Sequence, residues 1–269
     1  MWDAGQYLRF GGERARPFFD LVAQVGATSP RYVADLGCGP GNLTAALAAR
    51  WPEAAVVGVD NSPEMIAAAR AAAEIDARGP AAAPNLSFAL GDVRDWRPER
   101  PLDVLVCNAV LQWVPGHDEL LLRWADLLAP SGWLAFQLPG NFDQPSHAIV
   151  RELAASPRWG GPLAGGARLN RQAGDPAGYV ALLTRPGFEV DAWETSYLHV
   201  LYGDNPVLEW TKGTTLRPVL AALDAEQAAA FVGEYAERLR AEYQPHPFGT
   251  VFPFRRVFAV VHRADVSPG

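Results

Sequence analysis

Between residues 31 and 138 the chain repeats one unit: a short apolar run, a turn, then an amphipathic stretch. Residues 32–36 read as a buried strand ending in a glycine-rich turn, and residues 42–50 as the helix that follows. Trp51-Pro52 closes that helix, because proline cannot continue it. Residues 55–59 predict a second strand, after which Ser62 supplies an N-cap and Pro63 a first helical position. Residues 86–90 and 102–107 predict the third and fourth strands. A helix is expected over 117–128, stopped by Pro130 and Gly132, and a fifth strand over 133–138. Strands alternating with helices at this spacing predict a parallel, doubly wound sheet.

After Pro139 the pattern changes. Residues 156–175 are rich in Gly, Pro and Arg and read as a loop or lid. Residues 188–201 alternate as a long strand, with Tyr197, His199 and Leu201 on one face. Residues 205–243 read as helical in three pieces, broken at Gly213 and Pro218 and restarted at Asp224; residues 251–262 alternate again as a closing strand. The expected organisation is an N-terminal lid or helix (1–30), a ligand-binding core (31–140), a lid loop with the sixth strand (141–204), a helical cap (205–250) and a closing strand with tail (251–269).

Composition excludes several function classes. The 269 residues carry a net charge of −7 and are 49% hydrophobic, near the values of an ordinary globular chain. The acidic balance argues against nucleic acid, which wants a basic face, and against an anionic membrane surface. No apolar run approaches the ~18–20 residues needed to span a bilayer. Asp3, Arg9, Glu13, Arg14 and Arg16 leave no room for a secretory h-region, so a cytoplasmic location is expected. Two cysteines, Cys38 and Cys107, make neither a disulfide framework nor a metal site. Of the 23 basic residues only Lys212 is not Arg, so an individual Arg carries little weight.

The strongest chemical signal is Asp35-Leu36-Gly37-Cys38-Gly39-Pro40-Gly41, directly after a strand and before a helix. Glycines let the backbone turn sharply and approach a ligand closely, and ligands of open α/β sheets sit outside the carboxyl ends of the strands. A dinucleotide fingerprint is G-x-G-x-x-G. Here the third glycine, Gly41, comes one residue early, and Asp35 would repel a pyrophosphate but attract an ammonium. Asp60 ends the second strand, placed for two ribose hydroxyls. Asp92 ends the third, placed for the exocyclic amine of adenine, with Val93 and Met65 about the ring. Asn108 ends the fourth strand and points into the same crevice. Four strand ends thus carry polar groups suited to portions of S-adenosylmethionine. A nicotinamide oxidoreductase and a non-catalytic S-adenosylmethionine-binding module remain alternative readings of this sheet.

The segments V-A-D-L-G-C-G-P-G-N, G-V-D-N-S-P-E-M, G-D-V and N-A-V-L-Q-W, in that order, resemble the class I S-adenosylmethionine-dependent methyltransferases. The flanks Tyr7-Leu8-Arg9-Phe10, residues 13–17, Leu111-Gln112-Trp113-Val114-Pro115, Gln137-Leu138-Pro139 and Leu216-Arg217-Pro218 are similar to the branch that esterifies a small polycarboxylic acid of the trans-aconitate kind. Residues 76–84 and 160–171 depart from that pattern as longer or altered loops.

The resemblance implies a Rossmann-like, doubly wound, mostly parallel seven-stranded sheet with an antiparallel last strand and a helical cap. It adds Asn61 to the cofactor set. It also implies a carboxylate acceptor, which is ionised at neutral pH and needs no general base, so no catalytic residue is expected beyond those that position. Acceptor contacts are then expected from Arg16, Lys212, Arg217, Arg255 and Arg256, with Tyr7, Gln112, Trp113, Tyr197, His199 and Trp210 as walls or donors. Residues 1–140 hold 11 basic and 16 acidic residues, whereas residues 195–263 hold seven of each, so the cap is the less negative half. Another O- or N-methyltransferase of a small metabolite is the competing activity.

Overall fold

The computed structural model describes residues 11–76, 83–163 and 174–265. Its sheet contains β1 (Tyr32–Leu36), β2 (Ala55–Asp60), β3 (Leu86–Leu90), β4 (Leu102–Asn108), β5 (Leu128–Pro139), β6 (Phe188–Leu201), β7 (Pro245–His246) and β8 (Gly249–Arg263). The strand order is β3-β2-β1-β4-β5-β8-β6, with β7 paired to β8. β1 to β5 run parallel, and β8 lies antiparallel between β5 and β6. The seven expected strands are present; the eighth, β7, is too short to leave a periodic trace in sequence.

Apolar runs form β1 and β4 because helices cover both faces of the sheet. In β4, Leu102, Val104, Leu105, Val106 and Cys107 are all fully buried. On one face, Phe18 and Leu21 of α1 (Gly11–Val22) and Leu47 of α2 (Asn42–Arg50) pack against Val33, Val104, Val106, Ala135 and Phe258. α3 (Pro63–Asp76) connects β2 to β3. On the opposite face, Leu121 and Trp124 of α4 (His117–Asp126) pack with Leu36, Leu105, Cys107 and Phe136. After α5 (Pro145–Ala155) and the short α6 (Gly160–Leu163), Tyr179 and Leu183 of α7 (Pro176–Leu183) complete that second face.

β6 and β8 are far longer than the parallel strands, and their overhang carries the cap. Leu201, Phe252 and Phe254 at that end pack with Trp210 of α8 (Pro206–Lys212), Val219 of α9 (Arg217–Leu220), and Phe231, Tyr235 and Leu239 of α10 (Ala225–Glu242). Asp224 caps α10 with a full capping box, accepting from the Gln227 backbone at 2.8 Å, as expected from a restart there.

Three local expectations need correction. Pro130 and Gly132 do not stop a helix: α4 ends at Asp126 and β5 begins at Leu128. A register shift between Leu102 and Val104, with Ser131 at φ 59°, absorbs those residues as a bulge. Pro218 does not break a helix but opens α9, where no N–H is needed. The expected lid-loop segment, residues 141–204, holds three helices that its loop-like composition concealed: α6 lies inside the Gly- and Pro-rich stretch, and α5 and α7 flank it. The departing loops fall largely on residues 77–82 and 164–173, outside the described residues. Among the described residues no helix is long and apolar enough to cross a membrane.

Asn85 ties the sheet's base together, its Nδ2 lying 2.8 Å from the carbonyl of Ala54, 3.1 Å from that of Trp51 and 3.3 Å from that of Ala48. Asn85→Ala removes this shared donor, leaving the Trp51 carbonyl only the Ala54 N–H at 3.0 Å, and is expected to cost about 1–3 kcal/mol in chemical unfolding. A loss below ~0.5 kcal/mol would show that the three carbonyls do not depend on it.

Candidate functional site

The loop after β1 is stitched to β2 by backbone bonds from Gly37 and Cys38 to the carbonyl of Val59, at 2.7 and 3.0 Å. Gly37 has φ 78°, and a Cβ there would lie 2.1 Å from Val110 Cγ2, so only glycine fits. Gly39, at φ 55°, has nothing within 4 Å of its Cβ position and lines the cavity described below. It leaves room for a ligand to approach the backbone. Gly41 differs from the expectation: a Cβ there would meet Phe88 at 2.6 Å and Ala69 at 2.9 Å, and the residue is not part of the cavity wall. Its glycine serves the close packing of α2 and α3 on β3.

Three acids stand at the ends of β1, β2 and just past β3, each held differently. Asp35 is 2% exposed, and its Oδ2 accepts from Thr44 Oγ1 at 2.6 Å. Burial pushes its carboxyl up to about 6, with the Thr44 bond opposing and the charge of Asp60 adding. Asp60 accepts from the Gly39 backbone N–H on Oδ2 at 3.0 Å and from that of Ser62 on Oδ1 at 2.9 Å. Each oxygen keeps a further acceptor site. Asp92 is gripped on both oxygens by Arg94, at 2.6 and 2.9 Å, and that bond holds its carboxyl below the usual range. Arg94 has no counterpart in the sequence reading, although an Arg two residues after a strand-end Asp was its available signal.

These groups line one cavity of about 690 Å³ at the carboxyl ends of the strands. Asp35, Gly37, Gly39, Asp60, Asn61, Met65, Asp92, Val93 and Asn108 all contribute to its wall. Met65 and Val93 are both buried and apolar there, the character a base-binding slot requires. Ala15 and Phe18 of α1 form one side, and Trp113, Arg217 and Pro218 another. Among the described residues no cluster of His, Cys, Asp and Glu could hold a metal ion, and both cysteines are free and buried.

Of the expected acceptor contacts, the structure brings Trp113 and Arg217 to this wall. Gln112 instead donates through Nε2 to the carbonyl of Ala109 at 2.6 Å, bracing a residue at φ 58°. Lys212 pairs with Glu209, three residues earlier on α8, at 2.7 Å. Arg255 pairs with Glu194 at 3.4 Å on the adjacent strand. Trp210 and His199 stack with centroids 5.0 Å apart inside the cap core. Tyr197 donates to Asp20 at 2.7 Å, with the Arg16 guanidinium 5.1 Å above its ring. Arg256 is 5% exposed and lies one side chain behind the wall, donating to Gln137. None of these eight lines the cavity, and Tyr7 lies outside the described residues.

The methyltransferase-domain family matches residues 33–132. The trans-aconitate 2-methyltransferase of Streptomyces avermitilis is 55% identical over 264 residues, 97% of each chain. That of Streptomyces coelicolor is 53% identical, covering 99% of this chain and 88% of its own, and that of Mycobacterium tuberculosis is 47% identical over 262 residues. Among solved structures, the YcgJ protein from Bacillus subtilis superposes with a TM-score of 0.58 at 13% identity, covering 93% of this chain and 98% of that one. A phosphoethanolamine N-methyltransferase of Haemonchus contortus bound to S-adenosylhomocysteine gives 0.56 at 15%, over 95% of this chain and 56% of that one. These two likenesses show the fold.

From its place in the sequence, Asp35 is expected to meet the ammonium of S-adenosylmethionine in its anionic form. With the carboxyl raised to about 6, cofactor affinity is then expected to fall up to about tenfold per pH unit below that point. Because the folded value lies above the ordinary 3.8, the ligand-free fold gains this group's contribution to stability as pH falls from about 6 towards 4, the opposite trend. Calorimetric titration of the cofactor between pH 5 and 8 checks this; an affinity flat across that range removes Asp35 from the ammonium site.

Proposed function

This chain belongs to the trans-aconitate 2-methyltransferase family of S-adenosylmethionine-dependent methyltransferases, and on that premise we propose that it esterifies one carboxylate of a small polycarboxylic acid. The products are a monomethyl ester and S-adenosylhomocysteine. One observation carries the reading: a single cavity holds Asp35, Asp60 and Asp92 at the strand ends and Arg217 on the cap side. A cationic ligand with an amino-acid tail suits the first set, and an anion suits the second.

S-adenosylmethionine supplies a methyl on a positively charged sulfur, which a carboxylate oxygen displaces directly as the carbon–sulfur bond breaks. The chain's own residues have no proton to move, since the acceptor is already ionised. Their work is to align and to dry. Asp60, fixed by two backbone N–H groups, and the Met65–Val93 pair set the depth and tilt of the cofactor. Arg217 captures an acceptor carboxylate, for which its planar fork suits it better than a lysine ammonium. Trp113, 39% exposed at the rim, and Phe18 on α1 exclude water from between the two ligands. Opposite charges neutralise each other as the reaction proceeds, so a dry site favours the transition state over the separated ions. Holding the oxygen in line with the methyl supplies the rest. We also place the enzyme in the cytoplasm, where Cys38 and Cys107 would stay reduced thiols.

With labelled S-adenosylmethionine, transfer is expected to trans-aconitate and related acids, giving a base-labile product. Transfer only to phenols or amines would replace the carboxylate reading by the general small-metabolite one. Arg217→Ala is expected to raise acceptor KM at least tenfold while shifting cofactor Kd less than about threefold. Equal effects on the two would move Arg217 out of the acceptor site.

A further inference from the structure

β5 is apolar from Trp133 to Pro139 except at one position, Gln137, which is fully buried. An amide in such a strand is costly unless its hydrogen bonds are made. Both ends are occupied. Oε1 accepts from Arg256 Nη1 at 3.1 Å, and Nε2 donates to Asn108 Oδ1 at 2.5 Å. The three side chains come from adjacent strands: Asn108 of β4 pairs in register with Gln137 of β5, and Arg256 of β8 pairs with Pro139, two residues further along the same face.

The chemistry of arginine gives this row a direction. A guanidinium has donors and no acceptor. Arg256 therefore takes the oxygen of Gln137, which leaves only the Gln137 nitrogen for Asn108. Asn108 must meet that donor with its own oxygen, so its Nδ2 is the group left for the cavity, whose wall it forms. A free asparagine could present either end by a half-turn of its amide. Here the buried cation forbids that turn from two side chains away.

We propose that Gln137 and Arg256 are positioning residues that lock Asn108 with its N–H outward, so that this residue, expected from the sequence as a cofactor contact, serves instead as a donor for the carboxylate oxygen of the acceptor. The row then serves specificity as well as alignment. A donor rewards an anionic oxygen most and a neutral hydroxyl less, while an ammonium, which has donors and no acceptor, finds no partner there. The inference rests on the carboxylate reading above and names the part of the site that selects for it. It also explains why Arg256 lies behind the wall: its charge reaches the acceptor through two polarised amides.

The test compares the wild type with Gln137→Met, which keeps the shape and removes both bonds, and Gln137→Glu, which satisfies Arg256 but cannot donate to Asn108 when ionised. Calorimetry of the protein loaded with S-adenosylhomocysteine reads trans-aconitate affinity, and steady-state assays read KM and kcat. Both variants are expected to weaken acid binding and raise acceptor KM about tenfold, with cofactor Kd held within about threefold. If neither variant folds, Arg256→Met cuts the row at its far end and is expected to give the same signature. Where Gln137→Met folds, adding it to Arg256→Met is expected to cost no more than a further factor of about two. Acceptor affinity and KM unchanged in the variants overturn the inference, as does a loss of cofactor affinity equal to the loss for the acceptor. A wild type that binds and methylates no acid overturns the carboxylate reading and this inference with it, whereas normal wild-type esterification with indifferent variants overturns the inference alone.

Discussion

The antiparallel ladder between β6 and β8 fixes where everything else in the molecule can act. It runs without interruption from Phe188 opposite Arg263 to Leu201 opposite Thr250. β8, at 15 residues, spans about 50 Å, roughly three times the reach of β1. The parallel strands stop at a common edge where their polar ends face the cavity. The ladder does not stop there. Its far end carries Leu201, Phe252 and Phe254 into the cap core, so the cap is anchored to the same sheet whose edge it faces. The placement of Arg217 opposite three strand-end acids is therefore a property of sheet geometry rather than of a flexible connection.

Much of this was legible in the sequence because it follows from local rules. The bounds of β1, α2, β3 and β6 are the expected ones, since each is a clean periodic run between strong breakers. Strand-end residues are equally legible: once the strands are known, Asp35, Asp60, Asp92 and Asn108 must meet at one edge. The cap resisted the same treatment. The alternation of β6 correctly puts Tyr197 and His199 on one face, but not what covers them, which is Trp210, Asp20 and Arg16. Lys212 looked significant as the chain's one lysine, yet Glu209 sits three residues before it, a helical pairing that the sequence already contained. Gln137 was visible only as part of a motif. Its importance lies in partners 29 residues before and 119 residues after it, a relation no local window contains.

The acids of the cavity differ in how their charge is sustained, and this has an energetic logic. Asp60 accepts from two backbone donors, and Asp92 from a bidentate guanidinium that keeps its carboxyl ionised at little cost. Asp35 is buried, with one hydroxyl for support, and its burial outweighs that bond. A carboxylate kept in this state is undersolvated and gains the most when a cation arrives. The overall charge of −7 conceals this division, because what matters to each ligand is the few groups within reach.

The split of charge along one cavity bears on turnover as well as on binding. In the proposed reaction the cofactor loses its sulfonium charge but keeps its ammonium, ribose and adenine, whereas the acceptor loses a negative charge. The wall itself is unchanged, and so are the groups its acids would hold, so the hold that slackens is the one on the acceptor side. A spent acceptor would then be distinguished from a fresh one without any movement of the protein, and the ester would be the ligand released more readily.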